Sequence, residues 1–254
     1  MRNFDPVLET ERVVGFIRSY MQNAGLGSVV LGLSGGVDSA VCAALAVRAL
    51  GSANVTALAM PYRSSHPDSL DDAQQLADDL GIACHKIEIT PFVDAYFNSI
   101  DPEASPLRRG NWMARIRMNI LFDHSAKLSA LVLGTSNRTE LMVGYFTQFG
   151  DSACAFEPIG HLYKTEVWCL ARTLNISPKI IDKAPSADLW HGQTDEADLG
   201  MPYRELDEIL YELTELDLDF RSSQTLKYPL EQYQRVDRLI RISEFKRHLP
   251  PLPE

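Results

Sequence analysis

Eight consecutive residues, Gly32-Leu33-Ser34-Gly35-Gly36-Val37-Asp38-Ser39, carry the densest chemistry in this chain. Two adjacent glycines let a backbone turn with positive φ and let an anion come close to the amides. A helix starting there turns its free N–H groups and the positive end of its dipole to the same spot. Ser34 and Ser39 add hydroxyl donors, and Asp38 is a hard oxygen ligand suited to the magnesium that accompanies a polyphosphate. The Lys-Ser/Thr ending of a Walker loop is missing, and so is the GxGxxG spacing of a dinucleotide fingerprint. Without a ligand, the same residues would make a tight turn with Asp38 capping the helix.

Such a loop works only at the junction of a strand and a helix. The apolar run 29–33 stops at Ser34, and an Ala/Val/Leu-rich stretch follows over 38–50. Further strands are predicted at 55–60, 85–89 and 130–134. Helices are predicted at 5–22, 68–80, 111–128, 163–174, 202–213 and 229–244, with a polar loop over 184–200 and a Pro-rich tail at 250–253. Short continuous apolar strands alternating with helices imply an α/β fold, a parallel sheet with helices on both faces. Ligands of such sheets bind beyond the carboxyl ends of the strands, which makes Leu33→Ser34 and Gly134→Thr135 the candidate positions.

Further motifs stand in register along the chain. They are Gly110-Asn111-Trp112-Met113-Ala114-Arg115-Ile116-Arg117-Met118, Gly134-Thr135-Ser136-Asn137-Arg138-Thr139-Glu140-Leu141, and Gly144-Tyr145-Phe146-Thr147-Gln148-Phe149-Gly150-Asp151. Pro158-Ile159-Gly160, Leu162-Tyr163-Lys164-Thr165-Glu166-Val167 and Pro185-Ser186-Ala187-Asp188-Leu189-Trp190 follow. The Ser-Gly-Gly-x-Asp-Ser pattern resembles the ATP pyrophosphatase superfamily. The whole series, over about residues 5–250, resembles the ammonia-dependent NAD synthetases within it.

That resemblance implies a Rossmann-like domain of the adenine nucleotide alpha hydrolase kind, spanning 1–254 as one ligase domain. It implies amidation of deamido-NAD by ammonia through an adenylate, releasing AMP and pyrophosphate. The loop residues Gly32 to Ser39, with Thr135, Lys164 and Ser186, fall at family positions that bind ATP. Asp38 and Glu140 match the magnesium ligands, Arg115 and Lys246 match positions that contact deamido-NAD, and Asp151 matches a carboxylate beside the ammonia site. Asp151 and Lys164 are the residues assigned to catalysis. A homodimer with the dinucleotide site at the subunit interface is implied as well.

Read without the family, Glu140 is a first-turn carboxylate stabilised by a helix dipole. Asp151 beside Gly150 is a turn residue. Arg115 and Arg117 lie about 200° apart on one helix and do not easily share a ligand, so only the family match selects Arg115. Lys164 stands at the start of a helix, against the dipole, a local conflict that favours a functional role. Three positions depart from the family pattern: Gln148 replaces a common lysine, Ala155 an aspartate, and Phe245 a histidine. All three belong to the acceptor side and none to the ATP side.

The remaining composition narrows the class. With 45% hydrophobic and 23% charged residues the chain is ordinary globular protein, and its length suits one large α/β domain. Cys42, Cys84, Cys154 and Cys169 form no CxxC pair and read as reduced thiols of a cytoplasmic protein. No stretch reaches the roughly 18 apolar residues of a membrane span. A net charge of −10 speaks against nucleic acid, and with the scattered thiols against a tRNA-thiolating or lysidine-forming relative. Amidation of nicotinate mononucleotide remains the nearest alternative. A glutaminase domain does not fit the length, so free ammonia is the expected nitrogen donor.

Overall fold

Four parallel strands form the centre of this computed structural model, which describes residues 2–190, 192–223 and 225–253. Met1, His191, Gln224 and Glu254 lie outside the described residues, as do the parts of the single-domain and 184–200 loop expectations that fall on them. The strands are β1 (Ser28–Gly32), β2 (Val55–Ala59), β3 (Ala83–Lys86) and β4 (Ala130–Val132), in the order β3-β2-β1-β4. The helices are α1 (Pro6–Ala24), α2 (Val37–Leu50), α3 (Pro67–Leu80), α4 (Thr90–Ile100), α5 (Pro106–Leu128) and α6 (Arg138–Val143). They continue as α7 (Lys164–Thr173), α8 (Pro178–Ile181), α9 (Asp195–Leu199), α10 (Tyr203–Thr214) and α11 (Leu230–Ile242).

Successive residues of a strand point to opposite faces, and β1 shows it. Val29 and Leu31 enter a core with α1, α2 and α7, whereas Val30 enters one with α4 and α5. Both faces are therefore covered at β1, β2 and β4, which are apolar on both sides as the sequence predicts, while the edge strand β3 is largely exposed. A third cluster joins α10 and α11 to Tyr163 and Val143, so the C-terminal helices pack on α6 and α7.

Element boundaries differ from expectation in three places. The third strand begins at Ala83, because Gly81 ends α3 in the left-handed region (φ 65°) and releases the chain at once. Ile87 and Ile89 extend its pairing by donating to the carbonyls of Ala59 and Pro61. Helix α5 starts at Pro106, where Ser105 caps it, five residues before Asn111. Helices α4, α8 and α9 were not foreseen; α4 and α8 each begin with proline in the first turn, and α9 starts behind Thr194, which accepts from Ala197 N–H.

Candidate active site

The residues of the Gly-Gly loop fold onto one another at the end of β1. Gly35 takes a positive φ of 75°, and a Cβ there would lie 2.3 Å from the carbonyl oxygen of Ser69 on α3. Ser34 Oγ lies 3.1 Å from Ser39 Oγ, Ser39 Oγ donates to Gly36 O, and Gly36 N–H donates to Ser34 Oγ. The N-cap of α2 is Gly36, which has no side chain to cap with. Asp38 therefore does not cap the helix: its carboxylate crosses to the neighbouring strand end.

Across from the loop, β4 leads into α6. Asn137 caps α6 by accepting from Glu140 N–H at 3.0 Å, while Glu140 Oε2 accepts from Asn137 N–H at 3.3 Å. This reciprocal pair satisfies two orphan donors and fixes the Glu140 side chain. Asn137 Nδ2 also donates to Asp38 Oδ1 at 2.9 Å. Lys164, the first residue of α7, donates from Nζ to Asp38 Oδ2 at 2.5 Å and to Glu140 Oε1 at 3.2 Å. The three charges assigned from sequence thus meet at one point, although 126 residues separate Asp38 from Lys164.

Burial sets their electrostatics. Desolvation pushes the Glu140 carboxyl up to about 8, opposed by Lys164 and reinforced by Asp38. Desolvation also works against the Lys164 charge, but the carboxylates of Asp38 and Glu140 outweigh it and hold the ammonium charged. Below this triad Asp207 ties α6 to α7, accepting from Thr139 Oγ1 at 2.6 Å and Thr165 N–H at 2.8 Å. Its own carboxyl is pushed up by burial to about 6.

Asp38 and Glu140 are hard oxygen donors that converge here on the Lys164 ammonium, and as a pair they would suit magnesium completed by phosphate and water. Among the described residues no group of three or more His, Cys, Asp or Glu is arranged to hold a metal without such help.

A cleft of about 1150 Å³ opens over the strand ends. It is lined by Gly32, Leu33, Ser34, Gly36, Val37, Asp38, Ser39, Thr135, Glu140, Asp151, Lys164, Ser186 and Lys246 of the sequence assignment. That volume exceeds the 300–1,000 Å³ usual for one small ligand, so two nucleotide-sized molecules have room. Ser186 Oγ donates to Gln193 O and accepts from Asp188 N–H, which shapes the 185–193 wall. Asp151 Oδ1 accepts from Thr147 N–H at 2.9 Å. Desolvation raises its pKa, opposed by the backbone N–H groups of Thr147 and Asp151 and by the charges of Lys246 and Arg117. Lys246 donates to the carbonyls of Gly144 and Phe146, and Asp151 is the charge that most supports its own.

Arg115 stands apart from this group. It is exposed, does not line the cleft, and donates to Gln148 O at 3.2 Å. Arg117 lines the cleft instead, donating from Nε to Met60 O at 3.0 Å. Sequence reasoning separated the two arginines by helical angle but had no means to tell which face looked inward. It also assigned no role to Asn137, although the Asn-x-x-Glu spacing to Glu140 is a capping signal. Tyr145 was passed over too; its hydroxyl donates to Asp195 and Asp198, and these partners are distant in sequence. The three departures scatter. Phe245 is exposed, Gln148 contributes its carbonyl to Arg115, and Ala155 packs against the sheet core.

The NAD synthase family model matches residues 9–250. The chain belongs to the NAD synthase family. Its relatives in that family include the NH(3)-dependent NAD(+) synthetase of Chlorobaculum tepidum, 52% identical over 98% of this chain and 89% of that one. The NH3-dependent NAD synthetase of Campylobacter jejuni, solved with a nitrate ion, superposes with a TM-score of 0.84 at 36% identity, covering 99% of this chain and 100% of that one. The NMN synthetase of Francisella tularensis superposes with a TM-score of 0.88 at 34% identity, covering 99% of both chains. The fold is shared at this level.

Proposed function

We propose that this NAD synthase family member amidates deamido-NAD with ammonia and ATP, releasing AMP and pyrophosphate. The observation that carries the reading is the meeting of Asp38, Glu140 and Lys164 beside a phosphate loop that has no Walker lysine. In the first step a carboxylate oxygen attacks the α-phosphorus of ATP, and the bond to the bridging oxygen breaks. Magnesium held by Asp38 and Glu140 would neutralise polyphosphate charge. Lys164 supplies a fixed positive charge against the charge that shifts during attack, and Thr135 and Ser186 orient ATP from the opposite walls. In the second step nitrogen attacks the activated carbonyl and AMP departs. Asp151, whose carboxyl desolvation raises above its ordinary value, holds ammonium and takes up its proton.

Ammonia as nitrogen donor is the property printed in the names of the relatives. A homodimer is part of this reading. Helix α5 fully buries only Gly110, Met113 and Ala114 of its 23 residues and leaves Phe122 exposed, which gives a second copy room to pack there. Arg115 and Phe149, exposed near the same helix, would then meet an acceptor shared between subunits. The reading puts the enzyme in the cytoplasm without nucleic-acid or membrane partners. It is supported by the charge of −10 and by four free cysteines. No described helix is long and apolar enough to cross a membrane.

Nicotinate mononucleotide is the second acceptor to test, favoured by the likeness to an NMN synthetase. Purified protein is incubated with ATP, Mg²⁺, ammonium and either acceptor, and the products are read by mass. NAD, AMP and pyrophosphate are expected. ADP and phosphate would overturn the reading, and a faster reaction with the mononucleotide would reassign the acceptor.

A further inference from the structure

Asp72 on α3 is buried, and two lysines share it. Lys179 Nζ lies 2.6 Å from Oδ1 and Lys183 Nζ lies 3.2 Å from Oδ2. Lys179, which also feels the carboxylates of Asp68 and Asp71, already gives Asp72 a counter-charge, so Lys183 is not needed for that alone. The shorter contact belongs to Lys179, which is mostly exposed and stands outside the cleft. Lys183 is the one that lines the cleft. Its ammonium also donates to Ser69 Oγ at 3.0 Å. The same serine's carbonyl oxygen is the atom that leaves no room for a Cβ at Gly35. A single serine therefore separates the Lys183 ammonium from the phosphate loop, on the side of the loop away from Lys164.

We infer that Lys183 is a further catalytic residue, which grips the pyrophosphate end of ATP and stabilises it as leaving group. This inference rests on the proposed reading of the loop as a polyphosphate cradle. When the acceptor oxygen bonds to the α-phosphorus, the bond to the α–β bridging oxygen breaks and its electron pair stays on pyrophosphate. Negative charge grows at that end, and Lys183 is placed to meet it while Lys179 keeps Asp72 neutralised. Lys164 would act at the metal side and Lys183 at the departing side.

Calorimetric titration with inorganic pyrophosphate, and separately with AMP, in magnesium buffer tests this on the intact protein. Lys183→Met is expected to weaken pyrophosphate by at least about tenfold, the worth of a charge-assisted hydrogen bond, and to leave AMP unchanged. Lys183→Arg should recover most of the loss. Unchanged pyrophosphate affinity in Lys183→Met would overturn the inference. So would parallel losses for pyrophosphate and AMP, which would mark a packing role. If the unsubstituted protein binds AMP but no pyrophosphate, the cradle reading itself fails and takes the inference with it.

Discussion

At Lys164 a single ammonium meets two carboxyl groups in a largely dry site, its side chain 3% exposed. Contacts that strengthen in the transition state lower kcat when removed, whereas uniform binding contacts raise KM. Lys164→Ala is expected to cut kcat by about 10²-fold or more with a modest change in the acceptor KM. Asp38→Asn and Glu140→Gln should each produce losses of similar size at saturating Mg²⁺. Steady-state kinetics with each substrate varied, beside a thermal melt to separate misfolding, decide between them. Arg115 belongs to a different class of contact, being exposed and outside the cleft wall. Arg115→Ala should chiefly raise the acceptor KM and leave the KM for ATP alone; weakened ATP binding with an unchanged acceptor KM would reject that assignment.

The turn between β4 and α6 depends on a brace from outside it. Glu157 Oε2 accepts from Ser136 N–H at 3.0 Å, while its Oε1 is buried with no partner. The carboxyl lies so close over Gly134 that a Cβ there would sit 2.4 Å from it. Burial pushes Glu157 up to about 7 from its ordinary 4.5. Because the folded value is the higher, the folded chain holds a proton that the unfolded chain releases between those pH values. Its contribution is therefore most favourable below about pH 4.5 and is lost as pH rises through about 7. Glu157→Gln keeps an acceptor for Ser136 and removes the titration. The variant should show a flatter stability profile between pH 5 and 8, gaining at most about 3 kcal/mol on the wild type at the upper end. Denaturant melts across that range measure it, and an unchanged slope would mean that Glu157 ionises freely.

For the molecule as a whole, the long exposed face of α5 and the large cleft point the same way. Light scattering should give twice the mass of one chain. Phe122→Asp, which puts a charge on the exposed side of α5, should shift the protein toward monomer and raise the acceptor KM more than the KM for ATP. A monomer that keeps full activity would remove the shared-acceptor part of the proposal. In the proposal a second copy bears on the acceptor alone, because the residues proposed for ATP lie within one chain. Asp38, Glu140, Thr135, Lys164 and Ser186 all line its cleft.

Local chemistry explains why so much was legible beforehand. The Gly-Gly turn, the alternation of apolar strands and helices, and the lysine set against a helix dipole each follow from neighbours within a few residues. So did the two strand-end positions, because in parallel sheets the chain crosses back behind the sheet and leaves those ends open. Facts that depend on distant partners were not legible. Asp38 could as well have capped its own helix until Asn137, 99 residues away, bonded to it. Arg115 and Arg117 differ only in which face α5 turns to the sheet, and packing against β1 and β4 decides that. The shared carboxylate of Asp72, the unpartnered oxygen of Glu157 and the Glu140 carboxyl raised to about 8 arise only from burial. Burial is a property of the assembled chain, so the sequence determined which residues carry the chemistry, and tertiary structure decided which of them meet and in what state of charge.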